Sequence, residues 1–173
     1  MKKLVLVLVL AAIIAAGSVF ADHPRGFGIG VQASGSFAQD KFNDGAALIP
    51  GAALTFKFAG IPIFWAINSE FSEKHTGWGM SGDFYIFDVP LIARINLHWY
   101  FGAGFGAHLW FPKDNEDPML FAFSGRIPIG LSWYPVRLFE VNLQTAPQVG
   151  VLFDNGIGFF WEVPINLGVR FWL

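Results

Sequence analysis

Cysteine is absent from all 173 residues, which excludes disulfides, thiolate metal sites and a lipid-modified cysteine at a leader boundary. A basic surplus is missing too, since 11 Lys and Arg stand against 13 Asp and Glu. That balance gives no cationic patch for nucleic acid or anionic lipid, and no nucleic-acid partner is expected. After Ala16 no apolar run reaches the roughly 20 residues that a membrane helix requires. Yet 54% of the residues are hydrophobic and 17% aromatic, with a mean hydropathy of +0.48. So much apolar bulk without helical runs has to be spread over alternating strands.

The N-terminus reads as a secretory signal. Lys2 and Lys3 precede an apolar stretch over residues 4–16, and Val19 and Ala21 suit cleavage after Ala21. An uncleaved membrane helix is the competing reading, for which 13 residues are too few. Residues 1–21 are expected as a signal peptide and 22–173 as one β-barrel domain. Removing Lys2 and Lys3 leaves 9 basic against 13 acidic residues, a net charge of −4.

Alternation is clearest over residues 157–173. One face carries Ile157, Phe159, Trp161, Val163, Ile165, Leu167, Val169, Phe171 and Leu173, and the other Gly158, Phe160, Glu162, Pro164, Asn166, Gly168, Arg170 and Trp172. Period two at this length marks a membrane-spanning β-strand. Seven further segments alternate in the same way, centred on Val31, Leu54, Ile67, Asp83, Tyr100, Arg126 and Leu143. Connections near residues 38–46, 72–77, 110–118 and 154–156 are mostly long and polar, while those at 59–61, 88–90 and 134–137 are tight. The expected fold is all-β, an eight-stranded antiparallel up-and-down transmembrane barrel with its short turns at the periplasm.

The apolar parity has to face outward. An eight-stranded barrel encloses only enough space for side chains or one small ligand, and six of the seven tryptophans and most of the 20 phenylalanines read as belonging to that parity. Trp65, Trp78, Trp99, Trp133, Trp161 and Phe171 are expected as an aromatic girdle at the lipid interface, with Trp110 in the same frame. The inward parity holds Lys57, Arg94, Arg126 and Arg170 against Glu70, Asp83, Glu140 and Glu162, a balanced set expected to pair across a plugged lumen. The net charge of −4 falls on the long loops, where Lys41, Lys74 and Lys113 meet Asp40, Asp44, Glu73, Asp114, Glu116, Asp117 and Asp154. A three-residue loop at Asp154, Asn155 and Gly156 sets Glu140 opposite Arg170, and a tight turn at Asp88 and Val89 sets Asp83 opposite Arg94.

With these charges inside, four long loops opposite three short turns, and a last strand ending Val169-Arg170-Phe171-Trp172-Leu173, the chain resembles the small outer-membrane barrels of the OmpA-transmembrane, OmpX and OmpW type. It is similar in kind to uncharacterised small barrels of spirochaetes. The resemblance implies outer-membrane lipid and the barrel-assembly machinery as partners, an aromatic C-terminal residue as assembly signal, a monomeric state, and surface loops open to a host or surface ligand. Here Leu173 ends the chain and Phe171 stands two positions earlier, in the same outward frame.

Several motifs carry no chemistry. The glycines of residues 102–106 lack the helix that a phosphate loop requires and read as small inward residues. The acidic run at 114–117 lacks the spacing of a calcium loop, and His23, His75, His98 and His108 are too scattered for a metal triad. Ser72 beside His75, with Ser69 close by, has no acid to orient the base. Pro128, Pro147 and Pro164 read as a local twist rather than a lateral opening. No catalytic residue, metal or cofactor is expected. The resulting function is a non-enzymatic barrel with a closed, ion-paired lumen and acidic loops in a membrane-structural or adhesive role. The alternative is a narrow solute channel or an OmpW-like conduit.

Overall fold

The computed structural model describes residues 24, 26–39, 47–113, 118–154 and 156–173. The signal segment, the loop at 40–46, the acidic run at 114–117 and Asn155 lie outside them. Ten ladder segments form one antiparallel sheet. They are β1 (Gly28–Gln39), β2 (Ala47–Lys57), β3 (Phe64–Phe71), β4 (His75–Ile92), β5 (Leu97–Pro112), β6 (Leu120–Arg126), β7 (Ile129–Val136), β8 (Phe139–Thr145), β9 (Gln148–Asp154) and β10 (Gly156–Trp172).

The ten segments make eight spans. β6 and β7 are one span interrupted at Ile127 and Pro128, and β8 and β9 are another interrupted at Ala146 and Pro147. On one side both β6 and β7 pair with β5, and on the other both β8 and β9 pair with β10. Proline supplies no ladder donor, but its carbonyl still accepts. Gly102 N–H donates to Pro128 O at 2.9 Å, Ile127 N–H to Pro147 O at 3.0 Å and Ala146 N–H to Pro164 O at 3.3 Å, so the proline row stays stitched.

β1 pairs with β2 on one edge and with β10 on the other, from Gly28 opposite Trp172 to Gln39 opposite Trp161. Leu173 and Phe27 exchange both backbone bonds, at 2.8 and 3.1 Å. Closure matters because lipid offers no partner for an unpaired N–H or C=O. β10 keeps its alternation throughout: Ile157, Leu167, Phe171 and Leu173 are exposed, while Phe160, Glu162, Asn166, Arg170 and Trp172 are buried.

The β4–β5 connection departs from the sequence reading. β4 runs past Asp88 and Pro90 to Ile92, and the turn is a 3-10 segment over Ala93–Ile95 closed by Asn96 at φ 53°. Asparagine is among the few residues that tolerate this left-handed conformation. Pro90 stays in the ladder because a register shift beside it absorbs its missing donor, and a second shift between Tyr85 and Phe87 resets the alternation. Phe87 therefore faces outward and Asp88 inward, fully buried. Arg94, expected inside opposite Asp83, is exposed in the turn, and Asp83 instead faces Gly104.

Gly104 sits in register between Asp83 on β4 and Arg126 on β6, and a Cβ there would collide with Asp83 Oδ1 and approach Arg126 Cγ to 3.0 Å. Gly125, the outward neighbour of Arg126, has open space. Gly104→Val should lower the stability of the refolded barrel by at least about 3 kcal/mol, as overpacking adds to separation of a buried ion pair. Gly125→Val should stay within about 0.5 kcal/mol of the parent. Urea unfolding midpoints in detergent micelles check both.

Candidate functional site

Eight spans leave a lumen that is filled in layers. At the end where β1 begins and β10 finishes, Phe64 stacks on Tyr85 and Tyr85 on Tyr100, each with 4.2 Å between centroids. Tyr100 lies over Gly130, whose missing side chain leaves room for the ring. Tyr134 and Trp172 complete this buried cluster. Two cations cover its aromatic faces: Arg170 Cζ lies 4.9 Å from the Phe64 ring and 5.6 Å from Trp172, and Lys57 Nζ 5.8 Å from Phe64. These distances fall within the range of cation–π attraction.

Glu140 anchors the same layer. Arg170 Nη1 donates to its Oε1 at 3.1 Å and its Oε2 at 2.9 Å, Trp172 Nε1 to Oε2 at 2.9 Å and Ser132 Oγ to Oε1 at 2.7 Å. Glu140 and Arg170 are 1% and 2% exposed, so each charge depends on the other for compensation. Their strands pair in the register set by the hairpin at Asp154, with Arg170 opposite Glu140.

The middle of the lumen is a polar row running from β4 to β10. Asp83, Gly104, Arg126, Gln148 and Glu162 are successive cross-strand neighbours. Arg126 Nε lies 3.0 Å from Asp83 Oδ1, too poorly aligned for a hydrogen bond but close enough for an ionic contact. Asp83 Oδ2 accepts from Gln144 Nε2 at 3.0 Å, and Glu162 Oε2 from Gln148 Nε2 at 2.5 Å. Gln32 on β1 reaches Asn142 on β8 at 2.8 Å, crossing over the slot left by Gly168.

Beyond this row Trp110, Leu120, Ala122, Leu152 and Phe160 form an apolar cluster at the opposite end. Trp110 was expected on the lipid face, but it is 2% exposed and its Nε1 donates to Glu70 Oε2 at 3.2 Å. The phase of β5 explains this: even-numbered residues from His98 onward point inward, and Trp110 is among them. Trp78, Trp99, Trp133, Trp161 and Phe171 are exposed on the outer wall, and Trp65 is half-buried there against Phe105.

Among the described residues the inward charges are therefore Lys57, Arg126 and Arg170 against Glu70, Asp83, Asp88, Glu140 and Glu162. Arg94 leaves the expected set and Asp88 joins it, with His98 Nδ1 3.3 Å from Asp88 Oδ1. Asp88 was hidden from parity reading because the bulge before it reverses its face. His108, 38 positions from Glu70 and 54 from Glu162 in sequence, comes beside both. Ser72 and His75 do meet, with Oγ 2.9 Å from Nδ1, but the same Oγ accepts from the N–H groups of Lys74 and His75 and fixes the β3–β4 turn.

An antiparallel barrel of eight spans, apolar outside and polar within, defines a class of small membrane barrels. The solved structures place the chain within that architecture. Neisserial surface protein A superposes with a TM-score of 0.65 at 12% identity, over 86% of this chain and 97% of that one. The N-terminal β-barrel domain of Pseudomonas aeruginosa OprF superposes with a TM-score of 0.50 at 16% identity, over 83% and 97%. The fold is that of the small outer-membrane β-barrels. No protein-family model and no curated protein matches the chain.

Removal of Glu140 tests the anchoring layer. Glu140→Ala strands a buried guanidinium and should cost about 3–5 kcal/mol, whereas Glu140→Leu combined with Arg170→Met should cost clearly less. Urea midpoints of the two variants decide, and equal losses would argue against a paired charge.

Proposed function

We propose that this protein is an integral outer-membrane barrel, exported by its N-terminal signal, which acts without catalysis and without a conducting pore. The filling of the lumen carries this reading. Stacked aromatics occupy the periplasmic end, an apolar cluster the outer end, and hydrogen-bonded polar side chains the space between. Among the described residues a polar cavity of about 40 Å³ lies between these layers, room for about two or three waters. The inward glycines that would have favoured a solute channel are matched by neighbouring side chains, as Tyr100 over Gly130 illustrates.

Lipid is the solvent of the outer wall. The exposed aromatics Trp78, Trp99, Trp133, Trp161 and Phe171, with Trp65, supply its interfacial girdle. Phe171 and Leu173 at the end of the last strand present the hydrophobic phase that the assembly machinery would read. The monomer is the working unit. What remains for function is the outer surface, where the loop acids outnumber the loop bases by four. A membrane-structural role with an acidic surface for cationic partners follows from that charge.

Planar-bilayer recording of the refolded chain should give no unitary conductance. Reproducible conductance whose size changes in Arg126→Ala would overturn the sealed lumen. Reconstituted in neutral lipid, the barrel should bind immobilised polylysine in a salt-sensitive manner and pass over heparin. Equal binding to both surfaces would remove the acidic loops from the account.

A further inference from the structure

Three side chains from three distant spans converge in the outer half of the lumen. Glu70 comes from β3, His108 from β5 and Glu162 from β10, and one ligand atom of each lies within 4.8 Å of the other two. Some point among the three therefore lies no more than about 2.8 Å from every donor, against ~2.0–2.2 Å for zinc bonds to histidine nitrogen and carboxylate oxygen. Movements of under about 1 Å, within the reach of a glutamate side chain, close the difference.

From this geometry we infer that Glu70, His108 and Glu162 form a binding site for one divalent transition-metal cation of the zinc class. Donor chemistry selects the ion. Imidazole with two carboxylates suits zinc or cobalt, whereas calcium and magnesium favour all-oxygen shells.

Charge supports the same ligand. The inward set carries five acids against three bases among the described residues, and two of those acids belong to the triad. Arg126, which lies 3.0 Å from Asp83, and Arg170 border the same cavity as cations. A divalent cation would offset two like charges held together in a low-dielectric interior.

The surroundings are those of a built site. Trp110 Nε1 donates to Glu70 Oε2 at 3.2 Å through the space left by Gly77, Gln148 Nε2 bonds Glu162 Oε2, and Ser124 Oγ lies 3.1 Å from His108 Nε2. Such outer contacts orient ligands and set their basicity. The His108 ring stacks on Trp110 at 5.5 Å, and Phe160 meets it edge-on at 5.6 Å. All three triad residues border the polar cavity, which leaves room for a water as fourth ligand. Thr55, 3% exposed with its Oγ1 lacking a hydrogen-bond partner, borders the same cavity and marks it as a place for a polar occupant. A bound ion would tie β3, β5 and β10 together across the lumen.

Cobalt supplies the test. The refolded full chain in detergent, titrated with Co²⁺, should develop visible d–d absorption saturating at one ion per barrel. Zn²⁺ should displace the band, and millimolar Mg²⁺ should not. Zn²⁺ should also raise the urea midpoint of the parent. Glu162→Gln and His108→Gln should each weaken Co²⁺ binding at least tenfold and abolish the zinc-dependent rise. If either fails to refold, Glu70→Gln serves for the same comparison. Absence of the band in the parent overturns the site. So does a band that survives unchanged in the variants, which would mean binding elsewhere on the chain.

Discussion

Closing eight spans into a barrel leaves a lumen wide enough only for side chains, and that limit governs the rest of the molecule. Several inward positions are glycines that make room for a neighbouring side chain. Gly104 lets Asp83 and Arg126 meet over an intervening strand, Gly130 receives Tyr100, and Gly77 lets Trp110 reach Glu70. With the interior so crowded, most of the bulky apolar residues face outward, and the outer wall becomes a surface for lipid.

The same crowding makes electrostatics specific. A charge inside the barrel has little water, so its partner has to be within reach. Glu140 and Arg170 satisfy this within one pair of adjacent strands, with Trp172 and Ser132 occupying further bonds to the carboxylate. Glu70 and Glu162 are held differently, by amide and indole donors beside an imidazole, and their layer retains the polar cavity. The lower lumen is thus held by ionic and aromatic contacts internal to the chain, whereas the upper lumen brings two carboxylates beside an imidazole.

Much of the architecture was legible in the sequence. Strand parity of β1, β2, β5, β8 and β10 follows from alternation alone, and the hairpin around Asn155 carries the register that joins Glu140 to Arg170. Where reading failed, a local backbone event intervened. The shift between Tyr85 and Phe87 turns Asp88 inward, and the turn at Ala93–Ile95 takes Arg94 out of the lumen. Trp110 was misplaced for a simpler reason: a large aromatic near a strand end looks like a girdle residue until its parity is counted from the turn that sets it.

The sequence by itself determined which solvent surrounds the protein, which residues share a face and how the last hairpin aligns, because period two and turn chemistry act over a few residues. Tertiary structure alone decided which inward residues become neighbours. Glu70, His108 and Glu162 are 38 and 54 positions apart along the chain, and parity says only that each points inward. Their meeting depends on the stagger accumulated from strand to strand around the closed barrel, and bulges that no alternation pattern reveals alter that stagger.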